Sequence, residues 1–485
     1  MSGPPAPRNG TATGTSPGFL WYDLETWGKD PRCDRIAQFA AQRTDLDLRP
    51  LEPPLVLWLR PPRDALPSPA AAAVTGLDPW RLDRQGLPEA EAIARIHAAM
   101  TLPGTCAAGW NTLRFDDEFI RHAFYRNFFD PYQREWKDGN SRWDLLDFAR
   151  LLHALRPEGI HWPRREDGAP SFRLEHLAAA NGIGHTHAHD AMSDVEATVG
   201  LARLFRSRQP RLWDYHLGLR DKRRVEELLA PGTLLLHVSS RFPASRHCAG
   251  IVLPLMRHPR NRNQVLVVEL SAPIEAWLDR PAEELRRLLF TPAAELGDAA
   301  PNRPPIKAVH LNRSPALVRM HHVRAAEWQR LGLDPAAARQ RAERLQAVAE
   351  ELCGRLREVF ATEPERAPQE DVDAALYADL PCREDEPLRQ QVHGLAPERL
   401  GSLHGRFRDP RSDELLFRYR ARNWPHTLTA EERARWRQHL HRRLDAAALQ
   451  AFDAELAALE GSIDPALKTA LVGWRDHLLR EAGAG

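Results

Sequence analysis

From Phe19 to about residue 208, short apolar runs alternate with longer stretches of helical period. Residues 19–23 (FLWYD) and 55–59 (LVLWL) are aromatic-rich and bounded by Gly or Pro, as buried strands are. Residues 89–100, 117–129 and 191–205 carry helical spacing, so the first region is predicted to be α/β. From 210 to about 305 the texture changes to short strands, 233–238, 250–255 and 264–270, which predicts a small β unit with appended helices. Asp334-Pro335 supplies an N-cap and a first-turn proline. Leu345, Val348, Leu352, Leu356 and Val359 follow at helical spacing, with the helix ending near Phe360. Residues 361–370 have the proline and charge content of a linker. Nearly everything beyond is helical in period, including a second start at Asp464-Pro465, and there is no internal repeat.

Composition sharpens this picture. At roughly 150 residues per domain, 485 residues suggest about three domains behind a disordered tail at 1–18: an α/β domain at 19–208, a β domain with appended helices at 209–361, and a helical domain at 365–485. The net charge of +1 argues against a uniformly basic nucleic-acid binder. Of 67 basic residues, however, only five are lysines, and guanidinium grips phosphate or carboxylate as a planar fork. The five cysteines show no CxxC spacing, hence neither a disulfide framework nor a zinc site, and fit a reducing cytoplasm. The first eighteen residues have no apolar core and read as neither a signal peptide nor a transit helix. No apolar run approaches the roughly 18 residues of a membrane span.

Candidate chemistry begins at Tyr22-Asp23-Leu24-Glu25-Thr26, where period-2 geometry turns both carboxylates to one face. Asp116 follows in the stretch 109–118; by itself it reads as an acidic residue favoured in the first turn of a helix. His189 and Asp194 stand five apart at the start of another predicted helix. Four carboxylates at one spot would resist ionisation unless divalent cations lay among them. The alternating histidines His185, His187 and His189 offer a rival reading, since such tracts can bind zinc. Carboxylates outnumber histidines among these positions, and His185 and His187 are expected to be exposed loop residues. Asp117 and Asp190 adjoin the candidate ligands but are expected to point elsewhere.

Taken in order, DxE, an aspartate after Asn-x-x-x-Phe, and His-x4-Asp resemble the DEDD exonucleases that carry a histidine. Reading outward, residues 34–40, 124–132, 140–147, 155–160, 171–177, 258–263, 309–312, 371–373 and 419–423 are similar to the bacterial exodeoxyribonuclease I family, from Phe19 to the C-terminus. The resemblance implies a ribonuclease H-like exonuclease domain, an SH3-like β-barrel domain and a C-terminal helical domain around a groove for one strand. It implies processive 3′→5′ hydrolysis of single-stranded DNA to 5′-mononucleotides. Asp23, Glu25, Asp116 and Asp194 would hold two Mg²⁺ ions, with Mn²⁺ able to substitute. Mg²⁺ prefers oxygen ligands, and two such ions clamp the attacking and leaving oxygens of a phosphodiester. His189, with an ordinary imidazole pKa near 6.5, would take the proton of the attacking water.

The same resemblance implies substrate contacts from Glu25, Arg121, Tyr132, Trp136, Arg150 and Arg173 on the first domain, and from Lys222, Asn263, Lys307 and Asn312 on the second. Stacking on an aromatic face tolerates any base. Arg173 is the expected phosphate contact beside the metals. The interleaved arginines and aromatics of 406–408 and 417–422 are expected to serve internal packing and ion pairs. Single-stranded DNA-binding protein, through its acidic tail, is the expected partner of a cytoplasmic monomer. Two departures stand out: the Pro/Gly-rich tail has no counterpart, so its deletion is expected to leave nuclease activity intact, and residues 239–248 match least. An exoribonuclease of the same chemistry and a catalytically silent strand-binding module are the alternatives.

Overall fold

The computed structural model describes residues 17–185, 190–361, 371–378 and 382–483. The first domain is built on a five-stranded sheet of order β3-β2-β1-β4-β5. Its strands are β1 (Gly18–Thr26), β2 (Ile36–Asp45), β3 (Leu55–Trp58), β4 (Thr105–Gly109) and β5 (Ser141–Asp144). β1 pairs antiparallel with β2 and parallel with β4. Residues 1–16 of the expected tail lie outside the described residues, but Gly18 does not belong to it: it opens β1, opposite Asp45 and Thr105.

Alternation along β1 explains the layers. Phe19 and Trp21 face one core with Trp143, Phe148, Val195 and Phe205, whereas Leu20, Tyr22 and Leu24 face another with Ile93, Phe119 and Phe124. The first core lies beneath α5 (Leu145–Leu155), α6 (Leu174–Ala180) and α7 (Ala191–Arg208). The second lies beneath α3 (Glu89–Met100) and α4 (Asp116–Arg126). The predicted helix 117–129 therefore starts one residue earlier and stops three residues sooner. Phe128 adopts φ 65°, a left-handed value that a helix does not continue.

Two short helices, α1 (Pro69–Thr75) and α2 (Pro79–Gln85), were not legible as core elements. Each has an N-cap, Ser68 or Asp78, and a first-turn proline, and together they seat the C-terminal region. Trp80 meets Trp474 edge-on with ring centroids 5.0 Å apart, and Ala72 packs with Phe452, Leu467 and Leu471.

The second domain is an antiparallel sheet of order β10-β6-β7-β8-β9, formed by β6 (Leu235–Val238), β7 (Ala249–Arg257), β8 (Gln264–Glu269), β9 (Ile306–His310) and β10 (Ala316–Arg319). The helix expected to run from Pro335 to about Phe360 is two helices, Pro335–Ala347 and Ala349–Ala361, separated at Val348. Leu345 and Leu352, on either side of the break, both reach the core of this domain. Most of the expected linker, 362–370, lies outside the described residues.

The third region is helical, as predicted, and Pro465–Ala482 starts at an Asp464 cap. Its arginines do pair internally. Arg422 donates to Asp373 at 2.5 and 2.9 Å and to Asp64 of the first domain at 2.7 Å. Arg418 binds Asp371 and Asp373. Tyr377 donates to Glu118 on α4 (2.5 Å), and Arg313 of the second domain lies 3.7 Å from the same carboxylate. All three regions thus meet on the helix that begins with Asp116. Among the described residues no helix is long and apolar enough to cross a membrane.

Candidate active site

The face of β1 that buries Phe19 and Trp21 presents Asp23 and Glu25 two and four residues later. A strand with a two-residue period carries its apolar face straight into an acidic one. Opposite them stands Asp194, in the first turn of α7. Ligand oxygens of Asp23, Glu25 and Asp194 all lie within 4.8 Å of one another.

The start of α7 is held by Gln38, which is buried opposite Glu25 on β2. Its amide donates to Asp190 Oδ2 (3.1 Å), and its carbonyl oxygen accepts from Ala191 N (3.2 Å). Asp190 in turn caps the helix by accepting from Met192 N and Ser193 N, a contact worth about 1 kcal/mol. Neither Gln38 nor Asp190 is a candidate ligand; together they set where Asp194 stands. The motif at 34–40 was the available signal for Gln38.

The fourth predicted ligand is Asp116. It is buried at the head of α4 but does not belong to the group within 4.8 Å. Burial pushes its carboxyl well above the carboxylate range, although backbone N–H groups of Asp116 itself and of Leu24 act the other way, and of the charges that raise Asp23 its own is the largest. Asp117 points elsewhere, as expected. It accepts from Tyr22 Oη at 2.7 Å, Arg134 at 2.5 Å and Arg142 at 2.7 Å, which locks the first turn of α4. His189 and His187 lie outside the described residues. His185, expected to be an exposed loop residue, is not: its side chain is 8% exposed and Nε2 lies 2.5 Å from Asp194 Oδ1.

The electrostatics are those of charges lacking counter-ions. Burial, followed by Asp116, Asp194 and Glu25, pushes Asp23 well above the carboxylate range. Burial, followed by Asp194 and Asp116, pushes Glu25 up to about 8. Among the described residues no cationic side chain pairs with Asp23 or Glu25. Clustered, buried carboxylates of this kind fit a hard divalent cation, whose charge reverses the repulsion.

A pH dependence follows. Because the folded pKa of Glu25 lies above its ordinary value near 4.5, its contribution to stability is full below that value and lost as pH rises through about 8. Metal-free protein is expected to melt progressively lower from pH 5 to pH 8.5, with Mg²⁺ raising the melting temperature more at pH 8 than at pH 6 and Glu25→Gln raising it at pH 8 without metal. Scanning calorimetry checks this; a metal-free melting temperature that climbs over that range contradicts it.

The predicted substrate residues divide. Trp136 is 67% exposed and the Arg173 side chain 73%, so both are available to a ligand. Asn312 is also exposed. Lys222 donates to Asn263 Oδ1 at 2.8 Å, joining two predicted contacts. Arg150 binds Asp147 (3.0 Å) and lies over Phe172. Lys307 is largely enclosed, bonded to His237 and Ser239, and burial, aided by Arg241, lowers it to about 7.

Arg121 corrects the expectation. It is buried, its guanidinium is taken by Glu118, Glu135 and Tyr377, and it rests over the half-buried Tyr132 ring. It joins domains and has no free fork to offer a phosphate.

Two cationic clefts run along the seam between the first two domains. One, about 830 Å³, is lined by Arg150, Arg164, Arg173 and His176; the other, about 440 Å³, by Arg114, Arg241, Lys307 and Arg313. Residues 239–248, where the resemblance is weakest, contribute to both walls. Single-stranded polyanions take such grooves with exposed aromatics as stacking platforms.

Comparison with known proteins agrees with this geometry. The chain matches a family described as Exonuclease over residues 20–202, Exonuclease I SH3-like domain over 220–362 and Exonuclease I C-terminal domain over 370–478. It is 42% identical over 446 residues to exodeoxyribonuclease I of Escherichia coli K12, covering 91% of this chain and 93% of that one. The solved structure of E. coli exonuclease I with a dA16 oligonucleotide is similar at TM-score 0.91 and 40% identity, covering 96% of this chain and all of that one. A zinc-bound form of the E. coli complex with single-stranded DNA is similar at 0.90 and 40%, with the same coverage. A structure of SSB with exonuclease I is similar at 0.88 and 39%, again covering 96% and 100%.

Proposed function

The chain belongs to the exodeoxyribonuclease I family and is a metal-dependent 3′→5′ exonuclease of single-stranded DNA; from that premise we propose that Asp23, Glu25 and Asp194 hold two Mg²⁺ ions for processive release of 5′-mononucleotides. The observation that carries this reading is the convergence of three carboxylates from β1 and α7, with burial and mutual repulsion raising Asp23 and Glu25. When bound, the ions activate a water and stabilise charge on the attacking and leaving oxygens.

The protein's own groups supply the rest. Asp116, the fourth carboxylate of the motif, adds to the repulsion at Asp23 and Glu25 and so to the demand for cations there. His189, carried over from the family motif, accepts the proton of the attacking water. Arg173, largely exposed although 3.9 Å from Glu175, grips the phosphate beside the scissile bond as a bidentate fork, and Glu25 contacts the substrate at the metals. Trp136 offers a face to any base, and Arg150, Lys222, Asn263, Lys307 and Asn312 track the backbone along the domain seam. Enclosure between three regions joined at Glu118 and Arg121 favours successive cuts without release. The acidic tail of single-stranded DNA-binding protein is the proposed partner, in the cytoplasm, with the enzyme acting as a monomer.

End-labelled DNA and RNA oligonucleotides of matched sequence test this reading. The expected result is 5′-mononucleotides from DNA with Mg²⁺ or Mn²⁺, none with EDTA, and far slower release from RNA. Inert protein with either metal, or equal digestion of both polymers, contradicts it.

A further inference from the structure

The proposed function uses only the last of the three alternating histidines, but the first is also built into the site. His185 Nε2 is 2.5 Å from Asp194 Oδ1, and the two side chains are 8% and 18% exposed. A carboxylate only accepts hydrogen bonds, so Nε2 is the donor.

Asp194 needs such a partner. It stands in the first turn of α7, facing two carboxylates that repel it, and its side chain has rotamers leading away from them. A directional hydrogen bond to one oxygen opposes that repulsion and fixes how the carboxylate is turned. The donor is itself anchored. Two residues before His185, Ile183 packs into the core beneath α7, so close to Gly200 that a Cβ there would meet Ile183 Cγ2 at 2.7 Å. Glycine at 200 permits that approach, so the chain leading into His185 is pressed against the same helix that carries Asp194.

We propose that His185 is a positioning residue: it holds the Asp194 carboxylate in the orientation that, with Asp23 and Glu25, binds the divalent ion. The inference rests on the metal-centre reading. Outer hydrogen-bond partners of metal ligands are worth about 10–100-fold in affinity or activity, which sets the expected effect.

The test is Mn²⁺ binding to the full-length protein, followed by electron paramagnetic resonance of free Mn²⁺, alongside the Mn²⁺ dependence of digestion. His185→Ala is expected to weaken Mn²⁺ binding about 10-fold or more, with kcat recovering to within about 3-fold at saturating metal. His185→Gln, whose amide nitrogen reaches the Nε2 position, is expected to stay within about 3-fold of wild type on both measures, whereas His185→Asn, whose amide nitrogen falls at the Nδ1 position, behaves like His185→Ala. Unchanged Mn²⁺ affinity in His185→Ala overturns the proposal. So does a loss of kcat that saturating metal leaves in place in both His185→Ala and His185→Gln. If His185→Ala does not fold, the Gln and Asn variants carry the comparison. Asp23→Asn separates the two readings: if it too binds Mn²⁺ as wild type does, the metal centre itself is misassigned.

Discussion

Asp194→Asn is expected to slow digestion of single-stranded DNA by on the order of 10³-fold or more, because a direct metal ligand should exceed the 10–100-fold typical of outer partners. By transition-state arithmetic that is about 4 kcal/mol. The carboxylate is the part of the triad contributed by α7; without its charge, the β1 pair faces the metal from one side only. Strand binding is expected to survive, because Trp136, Arg173 and the seam clefts are untouched. Single-turnover digestion with saturating Mg²⁺, paired with fluorescence anisotropy on the same oligonucleotide, separates the two effects. Glu25→Gln is expected to behave alike. A loss below 10-fold in both variants would sink the three-carboxylate assignment.

The second large effect is far from the chemistry. Arg422→Ala is expected to destabilise the fold by about 3–5 kcal/mol, the usual cost of removing one partner from a buried charge network. Arg422, on the helix Pro410–Asn423, joins Asp373 of its own region to the fully buried Asp64 of the first domain. Burial works to raise both carboxyls, yet Arg422, with His439 at Asp64 and Arg418 at Asp373, holds them below the usual range.

Lowered folded pKa values contribute stability that is present above the ordinary carboxylate pKa and lost as pH falls through the folded value. In the variant Asp64 keeps His439 and Asp373 keeps Arg418, but burial is opposed less, so their contribution shrinks and is lost at a higher pH than in the wild type. Urea unfolding at pH 7 and pH 5 checks the magnitude and this shift. A cost under about 1 kcal/mol at pH 7 would mean that this cluster does not hold the helical region in place.

Much of this was legible in the chain because the rules involved are local. A strand of period two must place Asp23 and Glu25 together, and Asp-Pro at 334 and 464 must favour helix starts, wherever the rest of the protein lies. The ordered motifs carried the family resemblance and with it the candidate residues. Where the reading failed, the deciding contact came from far along the chain. Arg121 has the chemistry of a phosphate clamp, but Glu135 and Tyr377 were not predictable as its neighbours. A single helix to Phe360 was a fair inference from spacing, which runs on across Val348 even though the helix is interrupted there.

The sequence by itself determined that carboxylates alternate with apolar residues along one strand, that a second acidic motif opens a helix, and that three textures of chain succeed one another. Only the tertiary structure decided that ligand oxygens of Asp23, Glu25 and Asp194 come within 4.8 Å of one another, that Gln38 sets the start of α7, and that His185 reaches Asp194. The physical reason is range. Periodicity and capping depend on neighbours within a turn or a strand, whereas a metal-ready cluster depends on which distant elements are packed to within a few ångströms.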